Sequence, residues 1–172
     1  MEKVQAGQVN LVGLLYERHK SNLFGYFFRC SRDQALSEDM VQNVFIKVIK
    51  YKNQFKGNGE FSYWLYRIAR NTWLDKVKKN DPIQRALEID NERFEGTYSG
   101  RAAHLVTQEE QKEKLRKALD MISPEKKDAI LLSRYQGLDY KTIAEMSNCT
   151  ENAIKSRVMR GILEIKEIVK RN

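Results

Sequence analysis

The sequence predicts an all-α protein: two small helical domains joined by a flexible acidic linker. Three observations lead there. The 172 residues include only two prolines and nine glycines, so long helices meet few breakers. Apolar residues recur at three- and four-residue intervals, and few windows alternate with period two. Charge is also unevenly placed within a net +8. Residues 47–79 carry nine basic and two acidic side chains, residues 80–113 carry four and eight, and residues 141–172 carry seven and four. Two cationic regions flanking an acidic one suggest two polyanion-contacting units and a solvated connector.

The first helix is expected over Val9–Cys30, with Leu11, Leu14, Leu15, Leu23, Phe27 and Phe28 as its apolar set. Asp33 is a candidate N-cap for a second helix, Gln34–Tyr51, whose buried stripe is Met40, Val41, Val44, Phe45, Val48 and Tyr51. Glu38, Asp39, Gln42, Asn43, Ile46 and Ile49 lie outside that stripe. Isoleucines beside acidic and amide groups fit a protein-docking face as well as a third core contact.

Lys52–Glu60 reads as a loop, with Phe55, Lys56 and Asn58 placed to stand over the next helix. An aromatic ring, amides and a cation together suit an unstacked base. The helix Phe61–Lys79 holds both tryptophans. Its spacing puts Trp64, Leu65, Ile68, Ala69 and Thr72 on one side, widened by Trp73 and Val77. Arg67, Arg70, Asn71 and Lys78 fall opposite. That cationic, amide-bearing face is either a snorkelling surface or one that meets nucleic acid. Trp73, at the edge of the arc, is open to packing or to DNA contact.

Asn80–Thr107 shows no sustained helical period and is read as the linker. Helicity resumes over Gln108–Ile122, with Leu115, Ala118, Leu119 and Ile122 inward. Ser123-Pro124 starts a helix running to Gln136 that buries Ala129, Ile130, Leu132 and Tyr135, and Gly137 stops it. Asp139 caps a short helix, Tyr140–Met146. A turn through Cys149 then leads to a longer helix from Glu151, buried through Ile154, Val158, Ile162, Ile165 and Val169. Asn152, Lys155, Ser156, Met159 and Arg160 share its outward side. A short helix, a tight turn and a second helix with a cationic face form the helix-turn-helix pattern. Cys149 is expected to fill space between the two helices.

Cys30 and Cys149, like His19 and His104, are too far apart in sequence for metal-ligand spacing, and no cofactor or metal is expected. No nucleophile–base pair or phosphate-cradling glycine loop is visible, so no enzyme is predicted. No leader or membrane span is expected, and the chain reads as cytoplasmic.

Ser37–Phe45 (SEDMVQNVF) and Trp64–Asn71 (WLYRIARN) resemble the promoter-binding domain of bacterial RNA polymerase sigma factors. Gly137–Glu145 (GLDYKTIAE) and Ala153–Gly161 (AIKSRVMRG) resemble the sigma C-terminal helix-turn-helix. The short, two-domain layout is similar to the extracytoplasmic function type. The resemblance implies domain 2 over residues 1–79, a linker over 80–107 and domain 4 over 108–172. It also implies binding to core RNA polymerase and promoter DNA, with control by an anti-sigma factor and no membrane insertion.

Residue by residue, the resemblance assigns polymerase docking to Asp39, Gln42, Asn43 and Ile46. It assigns the minus-ten element to Phe55, Lys56, Asn58, Arg67, Arg70 and Asn71, where a base flips out at a cost of roughly a few kcal/mol. The minus-thirty-five element falls to Asn152, Lys155, Ser156, Met159 and Arg160. Lys76, Lys78, Lys79, Arg134 and Lys141 would hold phosphates. The chain departs from the family at Asn152-Ala153, where Gly-Thr is common, and at Asn148, where glycine is frequent. Lys-Val-Lys-Lys after Asp75 replaces the usual arginines, keeping charge but losing bidentate geometry. The rival reading is a helix-turn-helix regulator that binds duplex DNA without polymerase.

Overall fold

The computed structural model describes residues 1–57, 60–79 and 106–171, excluding the side chains of Lys79 and residues 106–109. No strand occurs among the described residues. The chain divides into two compact units, Met1–Gly96 and Thr97–Asn172.

In the first unit, helix α1 (Glu2–Gln5) and a 3₁₀ turn (Val9–Leu11) precede α2 (Val12–Ser31), α3 (Gln34–Lys50) and α4 (Phe61–Lys79). The four residues of α1 are too few to show a helical period, and the sequence reading passes over them. Helices α2, α3 and α4 pack on one another. Leu23, Tyr26, Phe27, Val44, Val48, Leu65 and Ala69 are wholly enclosed between them. Tyr26 meets Phe27 and Tyr66 edge-on, with ring centroids 5.2 and 6.1 Å away. Burial pushes the Tyr66 hydroxyl well above its ordinary pKa.

Several expected core positions differ. Leu14 is 69% exposed; α2 turns the Leu23–Phe27 strip toward its partners and leaves Leu14 outside. On α4 the buried strip is Leu65, Tyr66, Ala69 and Thr72, while Trp64, Ile68 and Trp73 are half-buried and Val77 is exposed. Aromatic residues at 61, 63, 64, 66 and 73 nearly encircle this helix, so periodicity alone does not fix which of them face inward. The buried Thr72 hydroxyl is satisfied by donating to the Ile68 carbonyl at 2.7 Å. Asp33 caps α3 as expected, its carboxylate accepting from the Leu36 amide at 2.9 Å.

The second unit contains α5 (Val106–Met121), α6 (Pro124–Ile130), a π-helical stretch (Leu131–Tyr135), α7 (Tyr140–Ser147) and α8 (Glu151–Arg171). Helix α5 starts two residues before the expected Gln108, and the rest of the expected linker lies outside the described residues. Ala118, Leu119 and Ile122 are buried as expected, but Leu115 is exposed.

The helix from Pro124 does not continue as α to Gln136. It widens to π geometry, which inserts a residue into the turn. Both Leu131 and Leu132 therefore enter the core, and Tyr135 is left exposed. Ser123 sits at the N-cap position in extended backbone but makes no capping bond to the helix. The Glu125 carboxyl is held below its ordinary pKa, first by its own backbone N–H and then by the Ser123 hydroxyl.

Helix α8 packs against α5, α6 and α7. Ile154, Val158, Gly161 and Ile165 form its buried strip, with Ile162 and Val169 only half-buried. A Cβ at Gly161 would lie 2.7 Å from Ile130 Cδ1 and 3.2 Å from Lys126 Cβ. Glycine there lets α6 and α8 approach closely, and a larger residue would have to displace the Ile130 tip and crowd Lys126.

Candidate nucleic-acid interface

The first unit's candidate site lies where the end of α3 and the following 3₁₀ turn, Lys52–Gln54, meet α4. A cavity of about 260 Å³ opens between Lys47, Tyr51, Gln54, Trp64, Arg67, Ile68, Asn71 and Asp75. The five α4 residues form the strip next to the helix's buried one. Lys47 Nζ and Asp75 Oδ2, 3.3 Å apart, tie α3 to α4 across one end. The wall thus offers aromatic faces, an apolar patch, two amides and a guanidinium.

Of the residues assigned to the minus-ten element, Arg67 and Asn71 line this cavity. Phe55 and Lys56 are not among its lining residues. Phe55 is half-buried in an aromatic cluster, its ring centroid 5.5 Å from Trp64 and 6.0 Å from Phe61. Phe61 in turn meets the His19 ring at 5.4 Å. Burial, with a smaller push from the Arg18 charge, holds the imidazole below its ordinary pKa. Phe55 therefore backs Trp64. Lys56 is exposed, Arg70 half-buried, and Asn58 lies outside the described residues.

Sequence reasoning assigned Trp64 and Ile68 to the core and did not single out Tyr51, Gln54, Lys47 or Asp75 as site residues. Tyr51 and Gln54 join the site only because the chain turns at residues 52–54. No one-helix pattern could have signalled them.

The docking candidates Asp39, Gln42, Asn43 and Ile46 are all exposed on α3, with Ile46 61% accessible. Asn43 and Ile46 share an open groove with Lys50, Lys76 and Lys78. One groove thus brings part of the docking set together with two of the proposed phosphate-holding lysines. Lys79 belongs to α4, but its side chain lies outside the described residues.

In the second unit, Asp139 caps α7 by accepting from the Thr142 amide at 2.7 Å and the Thr142 hydroxyl at 3.1 Å. The backbone N–H bond is the main reason its carboxyl lies below the ordinary pKa. Asn148 ends α7 in the left-handed region, φ 50°, a conformation asparagine tolerates. Thr150 Oγ1 accepts from the Ala153 amide at 3.2 Å and starts α8.

The half-buried Arg157 turns back toward the turn, its Nη1 donating to Cys149 Sγ at 3.6 Å. Asn152, Lys155, Met159 and Arg160 stay exposed, and Ser156 is half-buried beside them. All five predicted residues thus share one outward strip of α8. Arg134 and Lys141 are exposed at the π stretch and on α7. A helix docked by its N-terminal turns into a major groove needs this arrangement. Among the described residues no group of His, Cys, Asp and Glu could hold a metal ion, and no helix is long and apolar enough to cross a membrane.

These features are those of a two-unit helical protein that carries a helix-turn-helix. Two family models match the chain: sigma-70 region 2 over residues 15–83 and sigma-70 region 4 over residues 112–165. The ECF RNA polymerase sigma-E factor of Haemophilus influenzae is 33% identical over 94% of this chain and 88% of its own. The RNA polymerase sigma-H factor of Pseudomonas aeruginosa is 26% identical over 94% and 87%.

Among solved structures, the sigma factor RpoE in complex with the anti-sigma factor NepR from Bartonella quintana aligns with TM-score 0.69 and 22% identity, over 99% of this chain and 98% of that one. CnrH in complex with the cytosolic domain of CnrY aligns with TM-score 0.73 and 16% identity, over 99% and 95%. Both show the same fold. The chain belongs to the extracytoplasmic function group of the sigma-70 family. It is a transcription initiation factor that binds core RNA polymerase and directs it to promoters, which sets aside the polymerase-independent regulator.

Proposed function

We propose that residues 1–79 dock on polymerase and capture a minus-ten base, that 80–107 link, and that 108–172 read the minus-thirty-five element. The observation that carries this reading is the cavity where Trp64, Arg67 and Asn71 converge. It offers an unstacked base an aromatic face, an amide and a cation in one half-open recess. Asp39, Gln42, Asn43 and Ile46 present an isoleucine among amide and acidic groups to the polymerase. Lys76, Lys78 and Lys79, joined by Arg70, hold backbone phosphates upstream. Phe55 supports the cavity from behind, and Lys56 and Asn58 are assigned to the same minus-ten strand.

In the second unit Arg160, Lys155, Ser156 and Met159 reach base edges while Asn152, Arg134 and Lys141 hold phosphates. The protein does no bond chemistry itself: melting follows from capturing a flipped base on a formed surface. It works in the cytoplasm, alongside polymerase and chromosome. An anti-sigma protein restrains it, as the partners in both similar structures suggest.

The test is initiation by this protein with core polymerase on templates that differ in the minus-ten element. Asn71→Ala is expected to erase the preference among those templates while polymerase association stays unchanged. Parallel loss of both would make Asn71 a structural residue and remove the cavity reading.

A further inference from the structure

The turn that supplies Gln54 to the cavity has little regular structure of its own. Its backbone bonds are the amides of Gln54 and Phe55 donating to the Tyr51 and Lys52 carbonyls, at 2.9 and 3.3 Å. Phe55 then leaves the turn in extended conformation. What fixes this geometry comes from the opposite end of the unit's sequence. The Gln5 side-chain amide nitrogen donates to the Lys52 carbonyl at 2.8 Å and to the Phe55 carbonyl at 2.6 Å. Lys52 Nζ returns a bond to the Val4 carbonyl at 3.3 Å. Val4 itself is only 1% exposed and seats α1 independently of Gln5.

We propose that Gln5 is a positioning residue for the nucleobase cavity, clasping the Lys52–Phe55 turn so that Gln54 and Trp64 form a fixed wall. The proposal rests on the reading of that cavity as a base site. One primary amide carries two N–H donors on one nitrogen, and here both go to carbonyls three residues apart. That pair of hydrogen bonds, with the Phe55 amide on the Lys52 carbonyl, holds the span of the turn. Phe55, whose carbonyl is held, places its ring 5.5 Å from Trp64, and Trp64 lines the cavity. With the clasp gone, the Phe55 carbonyl loses a part-buried partner and the turn gains alternative shapes. A pocket that selects by fixed shape then selects less well.

The experiment compares the full-length protein with its Gln5→Met and Asn71→Ala variants, each bound to core polymerase. Gln5→Met keeps side-chain length but has no donor, and Val4 still docks α1. Amide hydrogen exchange across residues 52–57 is expected to rise about tenfold, with discrimination among the four bases at the captured position falling roughly fivefold. Polymerase affinity is expected to stay within about twofold. Unchanged exchange and discrimination in Gln5→Met overturn the clasp, as does a parallel fall in polymerase affinity. If Asn71→Ala also leaves discrimination unchanged, the base-site reading fails and the clasp with it. If Asn71→Ala reduces discrimination and Gln5→Met does not, only the clasp fails.

Discussion

In the first unit two of the candidate DNA residues, Arg67 and Asn71, line a cavity of about 260 Å³ between two helices and a turn; in the second the base-reading candidates stand on the outside of a single helix. The cavity needs residues 47, 51, 54 and 64–75 held together by packing that begins as far away as Val4 and Gln5. The helix face needs only that α8 be helical and that its apolar strip be covered. A cavity can isolate one base from its stack and surround it. A convex helix lies along a groove and touches base edges without disturbing pairing. The two surfaces therefore suit the two tasks of a promoter-directing factor, one acting on a separated strand and one on intact duplex.

The largest effect expected to break this contrast is Trp64→Ala. It removes a ring that both lines the cavity and packs against Phe55 and Phe61. Loss of base stacking alone is about 1–3 kcal/mol, so promoter opening on a minus-ten template should fall by at least about fivefold, read by strand-separation fluorescence. Duplex binding by the second unit should be untouched.

Arg160→Ala is the counterpart on the helix face. It should relax selection at one base pair of the minus-thirty-five element by about 1–3 kcal/mol, measured by competition among single-base variants, with minus-ten selection unchanged. A loss spread evenly over all sequences, with a shallower salt dependence, would reassign Arg160 to phosphate.

The smallest effect expected is from Asp139→Ala, which removes the cap of α7 but none of the residues assigned to either surface. About 1 kcal/mol of stability should be lost at neutral pH. The carboxyl's pKa is lowered in the fold, so its contribution is present above the ordinary value of 3.8. It should fade as pH falls through the folded value. Thermal unfolding of variant and parent should therefore converge at acid pH.

Local rules made much of this molecule legible. Asp33 and Asp139 are caps because a short carboxylate before an apolar run satisfies free helix N–H groups. Asn152, Lys155, Ser156, Met159 and Arg160 share a face because α8 has one clear apolar strip to orient it. Phe61–Lys79 is aromatic on most sides, so spacing turns Trp64, Ile68 and Val77 inward where the structure leaves the first two half-buried and the third exposed. Leu14 and Tyr135 look like core by spacing but lie outside, the second because a π stretch changes the register after Ile130.

The sequence by itself determined the helical class, most element boundaries, the family motifs and the polar outward strip of α8. Each of these depends on residues within a few turns of one another, where helix geometry fixes direction. Tertiary structure alone decided which side of α4 is buried, the cavity that Tyr51 and Gln54 help to wall, and the hold of Gln5 on a turn 47–50 residues away. Such long-range contacts depend on how side chains from several elements fill one space, and no periodicity within a single segment encodes that.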